Sequence, residues 1–172
     1  MAIAAVTVGA FAQPPAQSPY AGLQSRPIKA LSAEQIADLK AGRGMSLALP
    51  AELNGYPGPR HLLDLADQLG LSSSQRNALQ SMFDTMKAEA IPIGERLIAQ
   101  ESELDGLFAR RQATAETVAA ATAAIGETQA RLRNAHLKYH LATVALLQPD
   151  QIERYQQLRG YGDASPAQHR HH

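Results

Sequence analysis

The hydrophobic positions of residues 73–108 recur at the spacing of an α-helix. Successive apolar positions lie three or four residues apart, with one wider step where Gln100 fills a slot, so they form a heptad-like stripe. The stripe consists of Leu79, Met82, Met86, Ala90, Ile93, Leu97, Leu104 and Phe108. Pro92 lies inside it, and because proline lacks the amide hydrogen that a helix interior needs, we expect a kink or a break near residues 89–91.

A second stripe runs through residues 113–147, where steps of three and four alternate without interruption. It consists of Val118, Ala121, Ile125, Thr128, Leu132, Ala135, Tyr139, Ala142 and Leu146. Neither helix can bury its stripe alone, and a short loop near residues 111–113 would let the two pair in antiparallel. The sequence therefore predicts an all-α fold built on a long, coiled-coil-like hairpin. So slender a hairpin has little core, and we expect a homodimer.

Shorter helices are predicted on both sides of the hairpin. The segment "SAEQIADLKAG" reads as one helix, residues 60–69 as a second that ends at Gly70, and "PDQIERYQQLRG" as the last. Between the first two lies "MSLALPAELNGYPGP", which prolines and glycines interrupt. We expect it to lie against the domain, because four large side chains would otherwise be exposed. They are Leu47, Leu49, Leu53 and Tyr56.

The chain divides into five segments. Residues 1–12 are apolar and end in an A-x-A site but lack a charged leader, so they are either an export signal with its front missing or a small-residue tail. We adopt the export signal, which predicts a mature protein in the periplasm. Residues 13–30 form a Pro/Gln-rich linker, 31–59 a short helix with a Pro/Gly-rich extension, and 60–160 the helical domain. Residues 161–172 form a His-rich tail, which like the linker is predicted to be disordered.

Composition narrows the function classes. The 172 residues include sixteen basic and sixteen acidic side chains, a balance that argues against nucleic acid as a partner. The absence of cysteine excludes thiol catalysis, thiolate metal sites and disulfides. No phosphate-binding loop, nucleophile elbow or zinc-protease motif occurs, so we predict that the protein is not an enzyme and requires no cofactor.

One short pattern, a leucine followed four residues later by a helix-capping glutamine, occurs three times. The copies are "LSAEQ", "LSSSQ" and "LQPDQ", beginning at residues 31, 71 and 147. In the first two, a serine at the N-cap and a glutamine at the third helical position form a capping box. In the third, Pro149 occupies the first helical position, where proline is favoured. Helix initiation therefore explains the residue types of all three copies.

The second and third copies also resemble the paired L-T-x-x-Q motifs of the Spy/CpxP family of periplasmic proteins. The motif residues are Leu71, Ser72 and Gln75 in one copy and Leu147 and Gln151 in the other. The resemblance covers roughly residues 60–160 and includes the order of the helices. Ser72 and Gln148 replace the threonine of the motif, and residues 31–59 have no counterpart in that pattern.

This resemblance implies a cradle-shaped dimer that acts as an ATP-independent chaperone in envelope stress. Its partners would be unfolded or aggregation-prone proteins, with a membrane sensor kinase or an anti-sigma factor as a signalling partner. A client would bind to basic and apolar residues of the concave face. The candidates are Arg76, Met82, Met86, Lys87, Ile91, Arg96, Leu97, Arg131, Arg133 and Lys138.

Histidines provide the alternative interpretation. His136 and His140 are spaced i, i+4, which points two imidazoles the same way, as metal ligands require, although such residues are often only polar edge positions of a helix. The related zinc- and nickel/cobalt-responsive proteins ZraP and CnrX bind ions at corresponding places, which implies a Zn, Ni, Co or Cu site with His61 and an acid, for which we choose Asp84. The tail adds His169, His171 and His172 as weak ligands.

Three functions therefore remain open. The leading hypothesis is a periplasmic chaperone, the alternative is a heavy-metal sensor or metal-binding protein, and the third is a structural dimerisation module. Client protection in an aggregation assay distinguishes the first, and metal affinity of the folded domain distinguishes the second.

Overall fold

The computed structural model describes residues 18–161, and all regular structure in that range is helical. A short 3-10 helix at Leu23–Ser25 precedes six α-helices. They are α1 (Ala33–Lys40), α2 (Leu49–Glu52), α3 (Pro59–Asp64), α4 (Ser73–Ala109), α5 (Ala115–Val144) and α6 (Pro149–Arg159). The predicted all-α fold is confirmed. The predicted export signal and the tail histidines lie outside the described residues.

The two long helices α4 and α5 form the predicted hairpin and make the most extensive contact between any two elements. The break expected at Pro92 does not occur, since α4 is continuous from Ser73 to Ala109. Pro92 and Ala88, whose carbonyl oxygen loses its helical partner at the proline, are both exposed, so water can bind that oxygen. Between residues 18 and 161, no helix combines the length and the apolar character needed to cross a membrane.

The buried face of α5 departs from the predicted stripe in its last three turns. The first part of the stripe is buried as predicted, at Ile125, Thr128, Leu132 and Ala135. Beyond it, the buried residues are His136, His140 and Thr143, and not the predicted Tyr139, Ala142 and Leu146. A straight helix has 3.6 residues per turn, so a strict heptad stripe drifts around it by about 20° per heptad. The predicted edge positions of the two histidines are therefore wrong, because the helix turns them inward.

Helix α1 packs across α4 at a glycine. A Cβ atom at Gly94 would lie 2.5 Å from the carbonyl oxygen of Leu39, so only glycine permits this backbone-to-backbone approach. An apolar cluster surrounds the crossing. Its buried members are Ile28, Leu31, Leu39, Ala90, Leu97, Ile125 and Leu132.

Residues 45–56 lie against the hairpin, but of the four large side chains expected to pack there only Leu47 does so, partly buried against the apolar cluster at the α1–α4 crossing. Leu49, Leu53 and Tyr56 are exposed, whereas Ala48, Ala51 and Glu52 are buried. The short helix α2 therefore turns its small residues and one carboxylate inward. The predicted helix at residues 60–69 is also shorter than expected: α3 ends at Asp64, and turns lead to Gly70, whose φ of 60° lies in the left-handed region.

The second and third leucine–glutamine motifs meet in space. The Gln75 side chain donates to Gln151 Oε1 at 2.8 Å, and Gln151 donates back to Gln75 Oε1 at 3.3 Å, while each oxygen also accepts the amide of its own N-cap residue. Leu71 and Leu147 belong to one apolar cluster with the fully buried Tyr155. The motifs thus initiate α4 and α6 and also fasten the two helix starts together. Gln35, in the first copy, caps α1 only.

Two glycines provide a matched test of the α1 packing. Alanine is normally favoured over glycine inside a helix by about 1 kcal/mol, and a Cβ at Gly126 meets no atom within 4 Å, so Gly126→Ala should stabilise the protein. Gly94→Ala should instead destabilise it by about 1–3 kcal/mol, because the new methyl group collides with the α1 backbone. Urea unfolding followed by circular dichroism measures both changes. Equal stabilisation by the two substitutions would contradict the packing described here.

Candidate functional site

A cavity of about 580 Å³ lies between the α1–α2 loop, the start of α3, and the facing sides of α4 and α5. The lining residues that carry chemically active groups are Met45, Glu52, His61, Met86, Lys87, His136 and His140. Two glycines, Gly44 in the α1–α2 loop and Gly58 before α3, allow the backbone to pack closely against α5. A Cβ at Gly58 would lie 2.7 Å from His140 Nε2, and one at Gly44 would lie 3.7 Å from His136 Nδ1.

Residues 56–58 are attached to α5 by two hydrogen bonds. Thr143 Oγ1 donates to the carbonyl oxygen of Pro57 at 2.5 Å. His140 Nδ1 donates to the carbonyl oxygen of Tyr56 at 2.7 Å. Because a carbonyl can only accept, the neutral imidazole of His140 carries its proton on Nδ1. Its Nε2 lone pair therefore lies beside Gly58 and is available to a ligand.

Glu52, at the end of α2, is the only acidic side chain that lines the cavity within residues 18–161, and it is just 5% exposed. Its Oε1 accepts a hydrogen bond from the Tyr155 hydroxyl and lies 3.7 Å from Arg159 Nε, and its Oε2 accepts the amide of Gly58 at 3.2 Å. Burial would raise the pKa of the Glu52 carboxyl, but neighbouring His61, Tyr155 and the Gly58 amide outweigh burial and lower that pKa from 4.5 to about 2. Glu52 is therefore ionised at neutral pH.

His61 and Tyr155 both approach this carboxylate. His61 Nδ1 lies 3.3 Å from Glu52 Oε1, within ion-pair distance, but it is not aligned for a hydrogen bond and has no other partner in the described part of the chain. Burial, followed by the hydrogen bond to Glu52, raises the pKa of the Tyr155 hydroxyl well above its usual value. Tyr155 therefore stays protonated and remains a donor to Glu52, while His61 is held loosely at the cavity wall.

His136 lies one helical turn before His140 and is only 2% exposed. Its Nε2 has no hydrogen-bond partner among the described residues. Burial lowers the pKa of His136, and the nearby His140 lowers it further, against a smaller opposing effect of Glu89. His136 is thus held as a neutral imidazole. A buried polar atom without a partner costs about 1–3 kcal/mol, so the fold tolerates an energetic penalty at His136.

The cavity is lined by three of the metal-ligand candidates chosen from the sequence, His61, His136 and His140. Asp84 does not line it: its carboxylate is exposed and accepts a hydrogen bond from Gln80 at 3.0 Å. The choice of Asp84 is therefore wrong for this cavity, and Glu52 takes its place. Sequence analysis missed Glu52 because residues 31–59 have no counterpart in the Spy/CpxP pattern, which supplied the other candidate ligands. The one available signal was a lone acid followed by the rigid segment "NGYPGP", which could fix it in place.

The predicted client-binding residues do not share one surface. Met86 and Leu97 are buried, Met82, Ile91 and Arg76 are half-buried, and the other five are exposed. Met86 and Lys87 line the histidine cavity, whereas Arg96 and Arg131 line a separate open groove of about 450 Å³ between α4 and α5. Lys138 forms an ion pair with Glu89 at 2.6 Å. Client binding by these residues stays a prediction.

Residues 46–154 match the sequence family described as heavy-metal resistance, and this region is more than half of the chain. The chain belongs to the heavy-metal resistance family. The match includes Glu52, His61, His136 and His140, although the lining residues 41–45 precede it, and it begins earlier than residue 60, where the sequence resemblance had placed the start of the domain. No curated protein and no solved structure gives a significant match.

Because the chain belongs to the heavy-metal resistance family, the residues that line the cavity must be compared with those that a metal ion requires. The donor types are suitable, since imidazole, carboxylate and thioether groups all bind transition metals. Their positions do not complete a coordination sphere: within residues 18–161, no three His, Asp or Glu side chains converge closely enough to hold an ion. A coordinated ion would therefore require these side chains to change rotamer, including that of His136, which is only 2% exposed.

Glu52 should make folding stability depend on pH in a defined window. Because its pKa is lowered on folding, its contribution is complete above the unfolded value of 4.5 and is lost as pH falls toward 2. Wild type should exceed Glu52→Gln in unfolding free energy by roughly 3 kcal/mol at pH 7, and the difference should shrink between pH 5 and 2.5. Denaturant titrations at each pH measure it.

The exposed Glu153 of α6 supplies the control. Glu153→Gln should change stability by less than about 0.5 kcal/mol at every pH. A wild-type advantage over Glu52→Gln that stays constant from pH 7 to pH 2.5 would contradict the ionised, buried state of Glu52.

Proposed function

We propose that this protein binds a heavy-metal ion in the histidine-lined cavity and acts as a metal sensor or metal buffer in the periplasm. The observation that carries the proposal is the placement of His61, His136, His140 and Glu52 around one cavity, inside the region that matches the heavy-metal resistance family. The N-terminal apolar segment with its A-x-A site supports export.

The state of the imidazoles also supports the proposal. A metal ion binds a neutral imidazole through a lone pair, and protonation competes with it. Burial favours the neutral form of His136, and the hydrogen bond to Tyr56 leaves the Nε2 lone pair of His140 uncommitted. Two adjacent turns of α5 therefore offer two nitrogen donors to the same space, and α3 offers a third through His61.

Metal binding is better supported than client holding. The resemblance to the Spy/CpxP family suggests both activities, together with a dimer, but the family match is to heavy-metal resistance. Two of the proposed client contacts, Met86 and Leu97, are buried. A chaperone of this kind needs an exposed adaptable surface, so we keep client holding as the lesser proposal. The proposal includes no enzymatic step.

Calorimetric titration with Zn(II), Ni(II), Co(II) and Cu(II) tests the proposal. The starting protein is the full chain with His169, His171 and His172 replaced by alanine, so that the tail cannot bind. We expect about one ion per chain and a loss of affinity of at least about a hundredfold in the His136→Ala, His140→Ala double variant, because coordination needs several converging ligands.

Leu141→Ala is the matched control, because Leu141 is an exposed neighbour on the same helix. Its affinity should equal that of the starting protein, and circular dichroism should show that all variants stay folded. Binding that disappears with the tail histidines alone would rule out the cavity, and so would a double variant that binds as tightly as the starting protein.

A further inference from the structure

Residues 26–44, which include α1, form an N-terminal arm that precedes the family match at residue 46. Three arm residues are buried against the hairpin, Ile28, Leu31 and Leu39. On α4, positions 90, 94 and 97 recur at helical spacing, so they share the face that meets α1 at Gly94. The arm is therefore a layer added to the family domain, and it covers an apolar face of α4.

The arm is attached to the hairpin mainly by apolar contacts. Among residues 18–161, its one polar link to the hairpin is Lys29, whose Nζ lies 3.2 Å from Asp105 Oδ2 and whose amide donates to Asp105 Oδ1 at 3.4 Å. The Lys29 side chain is 49% exposed, so this ion pair contributes little. The next segment, residues 52–58, is instead held by the buried Glu52 carboxylate and by two hydrogen bonds to α5. The arm can therefore separate without breaking those contacts.

The junction between the arm and residues 52–58 has a strained backbone. Met45 and Ser46 have φ values of 41° and 65°, in the left-handed region that residues with side chains seldom adopt. Such conformations persist only where the surrounding packing holds them in place, and here the arm supplies that packing. Departure of the arm would release the strain. Two consecutive loop residues that can change φ are also sufficient for a hinge.

The end of the arm forms one wall of the histidine cavity, at residues 41–44. A Cβ at Gly44 would lie 3.7 Å from His136 Nδ1, and one at Gly42 would lie 3.3 Å from the carbonyl oxygen of Lys87 on α4. Beneath this wall, His136 is only 2% exposed. A molecule or ion from solvent can therefore reach His136 only after a wall of the cavity moves, and the arm is the wall that ends at a hinge.

We propose that the arm is a hinged lid: residues 26–44 swing away as a unit about Met45 and Ser46, while the family-matching domain stays folded. Opening makes His136 accessible from solvent and, in the same motion, uncovers the face of α4 that carries Ala90. The role of the lid in admitting a ligand rests on the proposed function. The motion itself does not, so it can be measured without metal.

Cysteine labelling measures the opening, because the full chain contains no cysteine of its own. Ala90→Cys places a thiol beneath the arm at a position that is 0% exposed, and Ala66→Cys is the matched control, a buried alanine in the cluster around Tyr155. When closing is faster than labelling, the rate reports the population of open molecules. We expect iodoacetamide to label Ala90→Cys at least about a hundredfold faster than Ala66→Cys, because local opening costs less than global unfolding.

Two leucine truncations show which part of the fold must open. Leu39→Ala weakens the arm and should raise the Ala90→Cys rate at least about tenfold, or to the rate of the unfolded chain, whereas Lys40→Ala, exposed on the same helix, should not. Leu69→Ala weakens only the cluster around Tyr155, so it should raise the Ala66→Cys rate about tenfold more than the Ala90→Cys rate. The lid is overturned if Leu69→Ala accelerates both reporters equally, or if Leu39→Ala leaves Ala90→Cys unchanged.

Hydrogen exchange of the unmodified chain gives a readout that needs no variant. The paired amides of residues 36–43 should share one opening free energy, smaller than that of α6, because the arm opens as a unit. Exchange of these amides only together with α6 would also overturn the lid. If the arm opens by these measures but the chain without its tail histidines does not bind Zn(II), the lid stands and the proposed function fails.

Discussion

The carboxylate of Glu52 is ionised inside the protein, and the architecture around the cavity depends on how that charge is compensated. An unpaired buried carboxylate is too costly to persist, so its neighbours must supply donors. They come from two other elements: Gly58 leads into α3, and Tyr155 and Arg159 belong to α6. These groups all contact the carboxylate of Glu52. Movement of α2 away from the hairpin would therefore expose Tyr155 and open the cavity.

The two leucine–glutamine motifs at residues 71–75 and 147–151 hold the same end of the molecule together by a second set of contacts. Gln75 and Gln151 each cap a helix and bond to each other, so the starts of α4 and α6 hold a fixed distance. This contact positions Tyr155 within α6, and Tyr155 in turn reaches Glu52. The motif therefore supports the cavity without contributing a ligand to it, which explains how a helix-capping pattern can accompany a metal-related family.

Local patterns were sufficient to predict the long helices and α6, but not the early end of α3 at Asp64. The bounds of α4 and α6 follow from capping residues and end signals, and the α4–α5 pairing follows from two apolar stripes. The site required tertiary information. The buried position of His136 depends on the drift of a straight helix relative to a heptad stripe. The buried position of Glu52 gives no signal in its own segment, because the neighbouring Leu49 and Leu53 are exposed. The approach of residues 44 and 58 to α5 leaves no periodic signal at all.

We propose that the imidazole of His136, which burial keeps neutral, is a metal ligand. Long-range proton–nitrogen NMR of the uniformly labelled protein observes each ring nitrogen during titration with Zn(II). Before metal is added, we expect His140 to carry its proton on Nδ1. During the titration, we expect the Nε2 resonance of His136 to move first and to reach saturation at one equivalent of metal. Movement of only the tail histidine signals, with His136 unchanged, would contradict it.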